Sequence, residues 1–123
     1  MDVLILRTHF VIAVPDLRAS ARYYRDVLGF EVREIGDPGW RMFVLGACTV
    51  MAGECPDATP VRDLDDHSYF AYLVMDGEID AYFERVRAAG ATIRKDLRDE
   101  PWGMREFALE TADGHRIMVG SEI

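Results

Sequence analysis

The chain has 123 residues, 50% hydrophobic, 29% charged and 11% aromatic, which excludes disorder and fits one domain, residues 1–123, with its own core. Against 22 acidic residues stand 14 basic ones, and the net charge of −8 has the wrong sign for a phosphate backbone or an anionic membrane, so neither nucleic acid nor membrane is an expected partner. The longest apolar run, Tyr69 to Met75, is far short of the roughly 20 residues that span a bilayer, and Met1 to Arg7 lacks the basic head of a signal peptide, so a cytoplasmic protein is expected.

In chain order, Leu4–Val14 reads as the first strand. Leu17, Ala21, Tyr24 and Leu28 then fall at helical spacing, with Asp16 as N-cap and Gly29 as the stop. Three strands follow, Phe30–Ile35, Arg41–Leu45 and Thr49–Gly53, with a turn at Gly36-Asp37-Pro38-Gly39. Glu54–Asp66 is the least regular stretch. Beyond it come a strand at Tyr69–Val74 and a helix marked by Ile79, Phe83 and Val86 and ended by Gly90. The last strands are Thr92–Asp96, Arg105–Glu110 and Arg116–Gly120.

The second half repeats the first. Val14-Pro15-Asp16 matches Val74-Met75-Asp76, Phe43-Val44-Leu45 matches Phe107-Ala108-Leu109, and Val50-Met51-Ala52-Gly53 matches Ile117-Met118-Val119-Gly120. The chain is therefore expected to be α+β, with two βαβββ modules, residues 1–55 and 67–123, joined by a linker at 56–66. Their sheets are expected to pair edge to edge into a curved mixed sheet around a cleft, with helices outside. Strand alternation turns Val50, Ala52, Ile117 and Val119 toward the helices and Met51 and Met118 into the cleft. On the first strand it leaves His9 and Val11 to the cleft, and the repeat sets Tyr69 opposite His9.

Cys48 and Cys55 match neither a CxxC motif nor a zinc pair. No nucleophile elbow or phosphate loop is present. Asp63, Asp65 and Asp66 read as a solvated linker cluster, and His115 as an exposed turn residue. The cleft instead offers surface for binding. Trp40 and Trp102 each follow a Gly- or Pro-bearing turn and are expected at the rim. Gly103 would let a ligand approach the backbone, and Met51 and Met118 supply soft, adaptable surface.

The paired modules, His9–Leu17, the Arg22–Phe30 helix end and the run Glu100-Pro101-Trp102-Gly103-Met104-Arg105-Glu106-Phe107-Ala108-Leu109 with Asp113-Gly114 together resemble the vicinal oxygen chelate superfamily, in particular its bleomycin-resistance-like branch. Catalytic members of that superfamily hold a divalent metal with His, Glu or Gln from four strand positions. The resemblance carries these onto His9, Met51, Tyr69 (or Phe70, if the register slips by one) and Met118. His9 alone is a metal-ligand type, so no metal and no other cofactor is expected. A displaced site using His9, His67 and a carboxylate such as Glu110 is the alternative.

The function the resemblance implies is metal-independent binding and sequestration of an aromatic or cationic compound, through His9, Trp40, Met51, Tyr69, Trp102, Gly103 and Met118. The alternative is a metal-dependent lyase, isomerase or dioxygenase with an atypical ligand set. A third reading is a non-catalytic interaction domain. The resemblance also implies a homodimer, and a long apolar first strand left unpaired would be prone to aggregate.

Overall fold

The computed structural model describes residues 6–64 and 68–123. The first module is β1 (Phe10–Val14), α1 (Leu17–Tyr23) continued by a π-helical turn (Tyr24–Leu28), β2 (Glu31–Glu34), β3 (Trp40–Leu45) and β4 (Cys48–Glu54). The second is β5 (Tyr69–Met75), α2 (Ile79–Ala88), β6 (Thr92–Asp99), β7 (Met104–Glu110) and β8 (Arg116–Glu122). A 3-10 turn, Val61–Asp63, lies in the described part of the connection between them. This is the α+β fold of two βαβββ modules.

Each module makes one four-stranded mixed sheet, ordered β1-β4-β3-β2 and β5-β8-β7-β6. The outer strand β1 runs parallel to β4, and β5 parallel to β8. Among the described residues the two sheets do not hydrogen-bond to each other, so β1 and β5 are both edge strands there. The first strand is also shorter than its apolar pattern. Phe10 pairs with Val50, and although Thr49 and Cys48 of β4 extend past it, the ladder with β1 begins only at Phe10. Leu4 and Ile5 of the expected strand lie outside the described residues.

The helix signals act as the sequence suggests. Asp16 accepts a hydrogen bond from the backbone N–H of Ala19 at 3.1 Å, satisfying one free donor of the first turn. Gly29 ends the helix at φ +82°, a conformation open to glycine at little cost. Alternation then sorts the strands. Ile12, Val14, Val50, Ala52, Phe107, Leu109, Ile117 and Val119 are buried on the helix sides, joined by Leu17, Tyr24, Leu28, Ile79 and Val86. These form one continuous core shared by both modules. Each such Leu, Ile, Val or Phe contributes about 1.5–3 kcal/mol by burial.

The modules are latched by polar contacts on the same side. Ser20 donates to Asp113 at 2.7 Å, and the Tyr82 hydroxyl donates to the Leu28 carbonyl at 2.9 Å. His115 is buried rather than exposed, 5% accessible, because its turn docks on the first module. There it hydrogen-bonds the Ala13 carbonyl and meets Phe70 edge to face at 5.8 Å. Phe70 in turn meets Phe10 at 5.9 Å. Among the described residues no helix is long and apolar enough to cross a membrane.

Candidate functional site

The faces turned away from the helices carry the chemistry. On the first sheet one row across the strands is Val11, Met51 and Met42, and the next is Ala13, Gly53 and Trp40. A Cβ on Gly53 would lie 2.7 Å from the Trp40 ring, so only glycine lets the indole lie against β4. This face is apolar and adaptable.

On the second sheet the corresponding rows are Tyr72, Met118 and Ala108, then Val74, Gly120 and Glu106. Gly120 leaves room for the Tyr72 hydroxyl and the end of Met104, both of which a Cβ would meet. Beside it lies Glu106, 2% exposed. A carboxylate this deep needs donors. Three supply them: Trp102 Nε1–H at 2.7 Å, the Tyr72 hydroxyl at 3.1 Å and Lys95 Nζ at 3.1 Å. Burial, and then the bond to Glu106, push the Tyr72 hydroxyl up to about 12, so it remains a donor at ordinary pH. Lys95 also pairs with Glu100 at 3.1 Å, and Glu100 pairs with Arg98. The Arg98 hydrogen bond first, then Lys95, hold the Glu100 carboxyl below its usual range.

Trp102 closes the cluster. Its N–H is tied to Glu106, and Lys95 Nζ lies 5.4 Å from its ring centre, a cation–π contact. Yet the residue is 63% exposed. A large ring is thus fixed at its polar edge and open to solvent over much of its surface. Such a ring can stack on a flat ligand at little further ordering cost.

The structure gathers the expected site residues into separate groups. Trp40 and Met51 share the face of the first sheet. Met118 lies opposite Tyr72 on the second, and Trp102 and Gly103 form the turn before β7. Gly103 has φ +86° and open space at its Cβ position. His9 is half-buried just before β1. Tyr69 opens β5 at a bulge: it pairs with Arg116 while Ala71 pairs with Ile117, leaving Phe70 between. Matching register from the other end, with Phe10 on Val50 and Ala71 on Ile117, makes Phe70 the counterpart of His9.

These positions do not fit the metal that the fold implies. Met51 and Met118 offer thioethers, and Phe70 offers no donor at all. Among the described residues no three His, Cys, Asp or Glu side chains come together in a way that could hold an ion. Glu110 is engaged with Arg94 at 3.1 Å. His67, Asp65 and Asp66 lie outside the described residues. Tyr72, Lys95 and Glu106 escaped the sequence reading. Glu106 stands on the strand run Met104–Glu110, but alternation puts it on the face opposite Phe107, and its partners Trp102 and Lys95 reach it from outside that strand.

Compared with known families, the sequence matches the Glyoxalase/Bleomycin resistance protein/Dioxygenase superfamily over residues 7–119. The chain belongs to this superfamily. Its fold is shared by a glyoxalase/bleomycin resistance protein/dioxygenase from Alicyclobacillus acidocaldarius, with TM-score 0.80 and 13% identity over 95% of this chain and 91% of that one. TioX from Micromonospora sp. ML1 is similar at TM-score 0.71 and 24% identity, over 94% and 99%. So is the fosfomycin resistance protein FosX from Listeria monocytogenes, at TM-score 0.73 and 14% identity over 98% and 94%. None of the curated proteins compared matches the chain.

Proposed function

We propose that this superfamily member binds an aromatic small molecule, metal-free, and sequesters it rather than converting it. The observation that carries this reading is Trp102, anchored by Glu106 and Lys95 yet open to solvent. The superfamily's metal positions support it, since Met51, Phe70 and Met118 are poor ligands. A fosfomycin resistance protein among its structural neighbours makes an antibiotic-type ligand a reasonable class. The net charge of −8 favours a cationic ring by long-range attraction.

The unit that binds is proposed to be a homodimer. Among the described residues both edge strands are open, and Val11, Tyr72 and Val74 expose 64%, 43% and 67% of their surface along them. A second copy would cover these edges and bring the face bearing Trp40 and Met51 near the face bearing Trp102 and Met118.

Isothermal titration with bleomycin, with the planar cation proflavine and with neutral acridine tests the proposal. Binding of at least one of them, weakened about fivefold or more by Trp102→Ala, is expected, because ring stacking contributes on the order of 1 kcal/mol. Binding that needs added zinc, iron or manganese, or a chemically altered ligand by mass spectrometry, would favour the metal-dependent enzyme instead.

A further inference from the structure

The structure holds a second binding opportunity away from Trp102. A cavity of about 490 Å³ opens where β5 passes the β3–β4 turn and α2. That volume lies within the ordinary range for small-molecule sites. Its wall is apolar, with Leu28, Leu45, Leu73, Met75 and Val119 contributed by both modules. None of the metal positions lies in this wall, and of the Trp102 cluster only Tyr72, whose hydroxyl donates to Glu106, borders the cavity.

Arg85 is the single charged residue of the lining, and no carboxylate accompanies it. Its guanidinium is packed against Gly29, where a Cβ would come within 2.6 Å of Nη2. It makes no ion pair among the described residues, although most other arginines of the chain do. The Tyr82 hydroxyl beside it is committed to the Leu28 carbonyl at 2.9 Å and cannot also satisfy an anion by moving freely. Glycine at position 29 therefore has two tasks: it ends the first helix, and it clears the space in which the guanidinium sits. A guanidinium next to an apolar cavity offers paired donors suited to a carboxylate. The chain's net negative charge opposes anions at long range, so the recognition must be local, and the bulk of the affinity must come from apolar contact.

We propose that the cavity between the modules binds an apolar monocarboxylate, its carboxylate on Arg85 and its hydrocarbon body against Leu28, Leu45 and Leu73. The site is distinct from the aromatic site at Trp102, with Tyr72 as the residue that borders both.

The test uses decanoate, decanol and decyltrimethylammonium as probes of the whole protein. In a Cys55→Ser background, alkylation of Cys48 by N-ethylmaleimide reports on occupancy, because Cys48 lines the cavity and is half-buried. Decanoate is expected to slow that alkylation at saturation by fivefold or more and to bind at least tenfold tighter than decanol. Arg85→Gln should lower decanoate affinity about tenfold and leave decanol unchanged. Leu45→Trp, which narrows the cavity, should weaken both. Equal binding of acid and alcohol, tighter binding of the ammonium probe, or alkylation unchanged by decanoate would each overturn the proposal. Loss of aromatic binding in Trp102→Ala with decanoate binding intact would support two separate sites, whereas loss of both would contradict them.

Discussion

Trp40 and Glu106 occupy equivalent places in the two modules, each directly opposite a glycine of the last strand, Gly53 and Gly120. In the first module the indole itself fills the space over the glycine. In the second the strand position opposite the glycine carries a carboxylate, the Tyr72 hydroxyl and the end of Met104 fill the space over the glycine, and an indole from the preceding turn, Trp102, bonds the carboxylate. One duplicated frame thus yields an apolar face and a polar face. The difference rests on a single strand position.

The glycines should therefore be intolerant. Gly53→Ala would put a methyl group 2.7 Å from the Trp40 ring, and the indole must move off β4 to make room. A loss of about 1–3 kcal/mol is expected from overpacking. Urea denaturation, together with the Trp40 emission maximum in a Trp102→Phe background, checks it: the emission should shift red as the ring leaves the strand. Gly114, at φ +87° in the β7–β8 turn, should be intolerant for a different, backbone reason.

Glu106→Ala should destabilise by about 1 kcal/mol, because Trp102 Nε1–H and the Tyr72 hydroxyl lose their acceptor, while Lys95 keeps Glu100. The same variant should release the Trp102 ring. Time-resolved anisotropy of Trp102 in a Trp40→Phe background should show faster local motion than in the parent. Unchanged anisotropy would mean that Glu106 does not anchor the ring.

His115 makes stability depend on pH. Burial lowers its pKa from the ordinary 6.5, outweighing the opposing pull of Asp113 and of the Ala13 carbonyl. The unfolded chain therefore takes up the proton first. The contribution of neutral His115 is fully present above pH 6.5 and is lost as pH falls through the lower folded value. Urea midpoints measured across that range should fall with acidification, and His115→Asn should flatten the part of the slope below pH 6.5.

Glu78 precedes α2 at φ +62°, in the left-handed region, and its side chain caps nothing. Such a conformation costs a non-glycine residue about 1 kcal/mol or more. Glu78→Gly is therefore expected to raise the thermal midpoint, an uncommon direction for a substitution to glycine. Differential scanning calorimetry reads it directly.

The modules were legible in the sequence because the duplicated pattern and strand alternation are local signals. Asp16, Gly29, Val50, Ala52, Ile117 and Val119 all do what their spacing suggests. What was not legible depends on how the modules meet. His115 looks like a turn residue until its turn docks on β1, and Phe70 takes the place of His9's counterpart only through a bulge. The polar site is in the same position. Trp102 was visible as an aromatic after a proline, but its partners Tyr72, Lys95 and Glu106 come from three different strands. Only register brings them together, and register between distant strands is not written in either strand alone.

On the proposed reading, Trp102 presents a pre-fixed ring to a flat ligand. In Trp40→Phe, Trp102 is the one remaining tryptophan and reports on itself. Titrating that variant with proflavine should quench its fluorescence saturably with one ligand per Trp102, and the quenching should weaken with added salt as the attraction of the acidic chain is screened. Linear, unsaturable quenching equal to that of free tryptophan would contradict the account.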